Sequence, residues 1–440
     1  MAKNSQGKTN FGKKIIIILV LAVILGVSCI FSAQIDKLIG IGYKGSAKGE
    51  AEKVFASDLI INYIDVGQGD STYIEFPNGE TMLIDASEKD YGQTIINYIK
   101  GRQGIEDATE PVIDYLILTH SDSDHSGGME YVFANSVINN IYRPFELAMD
   151  KTDPTTCYAL EDLKAYKDTE NISLVTTDVY RNFIKAVYSE NNEEGNPANV
   201  YVSYDNLTIG GNEDGFLIEF FMPEKLSNET LESNSNVFFT KGYPVKPVGP
   251  ASARKNNSSP ILLLEYKEFS FVFSGDAEKE VEEAFLNSLS KEEKERFYNT
   301  SVFQAGHHGS TTSNTTAFME LLTPTYTVVS CGKDNKYGHP TDKFLKTLNA
   351  LNHKVDDYLI RTDLNGNIVF GATDGTLIYI SGVEVAVGKV VRWYHIAIVL
   401  FVGLSIVIIS IKFKRNGSVT KTSVRKGNRA AKKVVKRYFD

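Results

Sequence analysis

Hydrophobic and polar positions follow two rhythms along this chain, and two stretches follow neither. Residues 15–33 and 393–411 are nearly unbroken apolar runs, each long enough to cross a bilayer as a helix. Between them, short runs of β-branched and aromatic residues recur between Gly, Asn, Asp and Pro clusters, the signature of strands and turns. This pattern predicts strands over 59–66, 72–76, 81–86, 112–118, 261–266, 269–273, 301–305 and 326–330. Three more, over 357–362, 367–372 and 376–380, are expected to finish a second sheet. Pro77-Asn78-Gly79-Glu80, Asp363-Leu364-Asn365-Gly366 and Asp374-Gly375 are turn sequences. Helical segments are predicted over 92–100, 126–135, 277–289 and 341–351. Residues 143–255 are the least regular part, with short apolar pieces at 199–204 and 216–222 that predict β structure carrying long insertions.

Charge orients this arrangement. The chain has 440 residues and a formal net charge of −9. Residues 1–14 hold four Lys and no acid, and residues 412–440 hold eleven Lys or Arg and one Asp, which leaves the segment between near −23. Basic flanks on the outer ends of both apolar runs put both termini in the cytoplasm and the acidic middle outside the cell membrane. Trp393 and Tyr394 then mark the outer interface. The first run reads as an uncleaved anchor, because Phe31 stands where a cut after Ala33 needs a small residue. The expected organisation is a basic N-terminus (1–14), a transmembrane helix (15–33), a linker (34–57), a globular domain (58–385), a transmembrane helix (393–411) and a basic tail (412–440) suited to anionic lipid. Three cysteines, Cys29, Cys157 and Cys331, make no disulfide framework.

The chemistry concentrates just past the predicted strand 112–118. Thr119-His120-Ser121-Asp122-Ser123-Asp124-His125-Ser126-Gly127-Gly128 sets four potential metal ligands within six positions. Two imidazoles and two carboxylates converge on a loop only around positive charge, and divalent metal supplies it. The rival reading is a polar loop capping the next helix, with Asp124 as N-cap. Three further strand ends carry polar groups: Asp85, Asp276 behind Gly275, and His307-His308 between glycines.

His-x-Asp-x-Asp-His-x-Gly-Gly resembles the metal motif of the metallo-β-lactamase superfamily. More narrowly, the chain is similar to the C-terminal hydrolase domain of ComEC-type competence proteins. Asp-Val-Gly-Gln-Gly-Asp (65–70), Asn-Asn-Ser-Ser (256–259), His-His-Gly-Ser (307–310) and the His339-Pro340 loop share that resemblance, in the family's order over roughly 58–381. The family's large channel domain and oligonucleotide-binding domain have no counterpart in this sequence. The resemblance implies an αββα sandwich of two mixed β-sheets, an α/β class fold with metal at one edge.

It also implies site roles. His120, Asp122 and one of His307 and His308 would hold one side of a two-metal cluster, Asp124 and His125 the other, with Asp276 bridging. Asp85 and Asn257 would support the ligands from behind. The superfamily usually has His at the position of Asp122, and another between His125 and His307, where this chain has none. Oxygen-rich ligation makes manganese, magnesium or iron as suitable as zinc, with manganese favoured.

Two divalent metals activate water near neutral pH, so the expected reaction is hydrolysis, with Asp124 taking a proton. Hard phosphoryl oxygens suit such a site, and the expected substrate is a phosphodiester: DNA, or a wall or lipid phosphodiester. His339 and Lys336 would meet an anionic or leaving oxygen, and Ser310 is a candidate for substrate binding. An acidic domain repels polyanions unless its mouth is basic. Lys241, Lys246, Arg254, Lys255, Lys333 and Lys336 flank the motif loops and offer such a patch. The alternatives are an inactive fold used for surface binding, or a hydrolase of a non-phosphate ester or amide.

Overall fold

The computed structural model describes residues 48–382, except 106–107, 145–147, 150–156, 159–177, 188, 212, 225–247, 254 and 352–357. Both apolar runs expected to span a membrane lie outside these residues, as do the basic termini, Lys241, Lys246 and Arg254. Among the described residues no helix is long and apolar enough to cross a membrane.

Among the described residues seventeen strands run in chain order. They are β1 (Leu59–Tyr63), β2 (Thr72–Glu75), β3 (Thr81–Ile84), β4 (Val112–Ile117), β5 (Val137–Arg143), the short pair β6 (Ala148–Met149) and β7 (Cys157–Tyr158), and β8 (Asn199–Val202). Then come β9 (Thr208–Gly211), β10 (Phe216–Phe220), β11 (Leu262–Tyr266), β12 (Phe269–Phe273), β13 (Val302–Gln304), β14 (Tyr326–Val329), β15 (Leu359–Arg361), β16 (Ile368–Thr373) and β17 (Thr376–Ser381). One sheet has eight strands in the order β17-β16-β1-β2-β3-β4-β5-β8, and the other seven in the order β15-β14-β13-β12-β11-β10-β9.

Period-two alternation builds the layers. Leu59, Ile61 and Tyr63 of β1, Phe216, Ile218 and Phe220 of β10, Leu262 and Leu264 of β11, and Phe271 and Phe273 of β12 all enter one core between the sheets. The opposite faces meet helices. Leu83, Ile113 and Leu116 pack under α2 (Gly92–Gln103), with Tyr180 and Phe183 from α5 (Asp178–Val187). Leu263, Val272 and Phe303 pack under α6 (Lys279–Ser288) and α8 (Thr316–Leu322). The remaining helices are α1 (Lys48–Val54), α3 (Ser123–Ser126), α4 (Met129–Ala134), α7 (Lys291–Phe297), α9 (Asp342–Ala350) and α10 (Thr362–Asn365). The result is the expected α/β sandwich, helix on sheet on sheet on helix.

Four expectations change. Strands β16 and β17 do not finish the second sheet: β16 pairs antiparallel with β1 (Ile61 opposite Phe370), so the chain returns to close the first. Residues 48–54 are not linker but helix, because Ala51 and Val54 cover Ile60, Val369 and Ile380. The helix expected over 126–135 is two short ones, parted at Gly127-Gly128. A Cβ on Gly127 would stand 2.6 Å from Lys89 N, so glycine is what lets this turn lie against its neighbour. The described part of 143–255 also holds helix α5, whose period the surrounding polar sequence concealed.

Phe285 is fully buried on α6, edge-on to Phe221, Phe297 and Phe318. Phe285→Ala should cost about 3–5 kcal/mol, read as a lower urea midpoint at unchanged slope.

Candidate metal centre

Parallel pairing fixes where the polar loops emerge. Strand β4 lies between β3 and β5, both parallel to it, and β12, β13, β14 and β15 are parallel in sequence. The loops after β3, β4, β12 and β13 therefore leave at carboxyl ends, the usual ligand position in such sheets.

Asp85 organises the first group. It sits just past β3 with φ of 58° and is buried. Its Oδ1 accepts from Thr119 N–H at 2.8 Å, and its Oδ2 from the Thr119 hydroxyl at 2.7 Å. The same Oδ2 stands 2.7 Å from His125 Nδ1, which leaves His125 Nε2 facing the centre. His120 is held likewise: its Nδ1 lies 3.3 Å from Ser259 Oγ and 3.2 Å from Thr119 Oγ1. Ser259 Oγ also accepts from Asp276 N–H at 3.1 Å, so one buried hydroxyl joins the loops after β4 and β12.

Asp276 lies at the middle. Its Oδ2 is 3.7 Å from His120 Nε2 and 3.5 Å from His307 Nε2. Its Oδ1 is 3.2 Å from His125 Nε2 and 4.0 Å from His308 Nε2. The preceding Gly275 has φ of 47°, and a Cβ there would meet Thr119 Cβ at 2.8 Å. The rival cap at Asp124 does not form: α3 has Asp122 at its N-cap, without a side-chain capping bond, and α6 after Asp276 has Glu278 there, likewise without one. Asp124 is inside α3, and its Oδ2 stands 3.2 Å from His308 Nε2.

The His307-His308 loop is not extended. Both residues are left-handed, with φ of 49° and 53°, and Gly309 follows at 78°. This tight turn is clamped by Asn314, whose side chain accepts from Gly306 N–H at 2.9 Å and donates to Gly306 O at 2.8 Å. Both imidazoles thereby face Asp276, His307 against one oxygen and His308 against the other.

Asp70 joins this centre, and the candidate residues drawn from the sequence omitted it. Its carboxylate lies 3.3 Å from His308 Nδ1, and Asp70, His125, Asp276 and His308 are buried with donor atoms all within 4.8 Å of one another. The Asp-Val-Gly-Gln-Gly-Asp string was the available signal. A Cβ on Gly69 would strike the carbonyl of Asp124, so glycine lets Asp70 N–H reach that oxygen at 3.1 Å.

Other candidates lie around this core. Asp122 is half exposed, its Oδ2 3.9 Å from His120 Nε2 and its Oδ1 3.0 Å from Lys255 Nζ. Among the described residues Asn257 makes no hydrogen bond to a candidate ligand; it ties Val248 O at 2.8 Å to Glu278 N–H at 3.0 Å, bracing the loop that carries Asp276. His339 is stacked on Tyr337, with its ring 5.7 Å from that of His307 and 5.9 Å from that of His308. Ser310 is buried, its hydroxyl 3.2 Å from Thr312 Oγ1 within its own loop. Lys336 is exposed, its ammonium 5.1 Å from the Tyr337 ring centre.

The electrostatics asks for positive charge. Burial opposes ionisation of Asp276, yet the charges of His125, His308, His307 and His120 hold its carboxyl well below the usual range. Burial likewise opposes charge on Asp124, but the His308 hydrogen bond and His125 keep it low too. His125 and His308 are raised well above the ordinary imidazole value; burial works against this, and Asp276 with Asp85 or Asp70 outweighs it. His120 is lowered by burial and by His125, and His339 is pushed down to about 4 by burial and by His308 and His307. Three buried atoms at the middle of the centre, His120 Nε2, His125 Nε2 and Asp276 Oδ1, have no hydrogen-bond partner among the described residues. His125 Nε2 and Asp276 Oδ1 stand 3.2 Å apart without an aligned bond. Buried, unpartnered nitrogen and carboxylate oxygen around a shared centre fit divalent metal.

Metal must displace the protons that His125 and His308 carry in the metal-free fold. Affinity for divalent metal should therefore rise with pH through and above neutrality and fall on acidification, as isothermal titration with manganese at a series of pH values will read.

The metallo-β-lactamase superfamily matches residues 64–198 of this chain. ComE operon protein 3 of Bacillus subtilis is 26% identical over 331 residues, covering 72% of this chain and 33% of that protein. Competence protein ComA of Neisseria gonorrhoeae is 32% identical over 120 residues, 27% of this chain and 16% of that protein. Recombination protein 2 of Haemophilus influenzae is 22% identical over 315 residues, 70% of this chain and 28% of that protein. The chain thus spans about a third or less of the curated relatives it matches. By fold and family match the chain carries a metallo-β-lactamase superfamily domain, and its relatives make that domain similar to ComEC-type competence proteins.

Proposed function

We propose that this chain is a metal-dependent hydrolase of phosphodiesters, working around Asp276. The observation that carries this reading is the Asp276 carboxylate, whose two oxygens each face a different pair of histidines. His120, Asp122 and His307 would hold metal on one side. Asp70, Asp124, His125 and His308 would hold it on the other, with Asp276 shared. Divalent metal bound there, manganese or zinc ahead of magnesium or iron, supplies a nucleophilic water near neutral pH and offsets charge on the displaced oxygen.

The chain's own groups do the rest. Asp124 would take the proton; in the metal-free fold its Oδ2 stands 3.2 Å from His308 Nε2, which points it into the centre. Asp85 keeps His125 Nε2 aimed inward through its bond at Nδ1. His339 is neutral near pH 7 and half-buried beside His307 and His308, so it donates a hydrogen bond toward a leaving oxygen. Ser310 stiffens its loop, and Lys336 stands at the rim. The abundance of carboxylates favours hard phosphoryl oxygen over a thioester or lactam.

The relatives' names speak of competence and recombination, which points to DNA as one substrate; a wall or lipid phosphodiester is the other. With membrane helices at 15–33 and 393–411, the domain faces outward from the cell membrane and the basic tail lies on anionic lipid.

The purified full chain, loaded with manganese, should turn over a chromogenic phosphodiester. Asp124→Asn should lower kcat by at least about a hundredfold, since it removes the proton acceptor. A mutant as fast as wild type would remove Asp124 from the reaction.

A further inference from the structure

We propose that Lys255 is the anion-binding residue of this centre, its ammonium meeting a non-bridging oxygen of the substrate while Asp122 holds it in place. The proposal rests on the phosphodiesterase reading for its substrate, but its geometry is independent of turnover.

Lys255 Nζ lies 3.0 Å from Asp122 Oδ1, and the two side chains are 41% and 37% exposed, so the pair stands at the rim. Among the described residues, Lys255 is the one lysine or arginine paired with a carboxylate of the centre. Lys333 and Lys336, in the loop between β14 and α9, make no such pair among the described residues. An exposed ion pair contributes little to stability, so folding alone gives weak reason for a cation here. An ammonium has three donors; Asp122 takes one, and the exposed head keeps others for an anion.

The backbone that carries the lysine is also firmly held. Its carbonyl accepts from Ser258 N–H at 3.0 Å and from Ser258 Oγ at 2.6 Å. The turn that follows it is tied to Glu278 through Asn256 at 3.0 Å and through Asn257 at 3.0 Å, and to His120 and Asp276 through Ser259. This turn falls in the long interval without histidine. Asn257 and Ser259 spend their polar groups as braces, and what the turn delivers to the centre is the positive charge of Lys255.

The need for that charge follows from composition. The chain between the basic termini is near −23, so an anionic substrate approaches against repulsion. A fixed cation beside Asp122 offsets it at the point of contact.

Inorganic phosphate is the probe, titrated calorimetrically into the manganese-loaded full chain. Lys255→Met should weaken phosphate binding by at least about tenfold, while Lys255→Arg stays within about threefold of wild type. Metal content should be unchanged in both, and Lys291→Ala, the same charge change on a distant helix, should bind phosphate normally. On a turned-over diester, Lys255→Met should raise KM far more than it lowers kcat. Equal phosphate affinity in Lys255→Met and wild type would overturn the proposal. So would loss of metal together with phosphate, which would make Lys255 a partner of Asp122 alone. Phosphate discrimination without diester turnover would sustain Lys255 and retire the phosphodiesterase reading.

Discussion

A carboxylate buried among imidazoles is the constraint on which this fold turns. Asp276 is 3% exposed and faces four histidine nitrogens from two separate loops. Burying a charge is costly unless it is paired. The loops after β4 and β13 must therefore be held in register with the one after β12. The means are local and polar: Asp85 on Thr119 and His125, Ser259 on His120 and Asp276, Asn314 on Gly306. Each is a bond between a loop residue and a rigid strand end or turn.

The sheets supply the platform. Parallel neighbours keep the carboxyl ends of β3, β4, β12 and β13 together, and the apolar core between the sheets holds the two halves at fixed separation. Backbone conformations that ordinary residues avoid collect at these strand ends: Asp85, Ser87, His307 and His308 all have positive φ. Such conformations persist where surroundings over-determine them, and they cluster at functional sites.

Much of this was legible in the sequence, for a physical reason. Strands such as 269–273 are short, apolar and bounded by turn residues, so their existence and near-limits follow from the pattern alone. The loops of the candidate centre were legible because imidazoles and carboxylates crowd at strand ends, where little besides metal or catalysis asks for them. Other parts left no such trace. Which sheet β16 joins depends on pairing with β1, far away in sequence, and periodicity carries no record of partners. Helix α1 was hidden because Lys48–Val54 offers only Ala51 and Val54 as apolar side chains, too few to set a period. Asp70 follows a glycine in a loop, and its closeness to His308 arises from folding across more than two hundred residues. The left-handed turn at His307-His308 was equally silent, since only glycine advertises positive φ.

The account stands on Asp276 as the shared ligand of a metal centre. Its most direct test is metal content by mass spectrometry of the purified full chain after manganese loading and desalting, compared with Asp276→Asn. The account predicts tightly held metal in wild type and loss of most of it in the variant, with the fold intact by circular dichroism. Metal retained in full by Asp276→Asn, or absent from wild type, would contradict it.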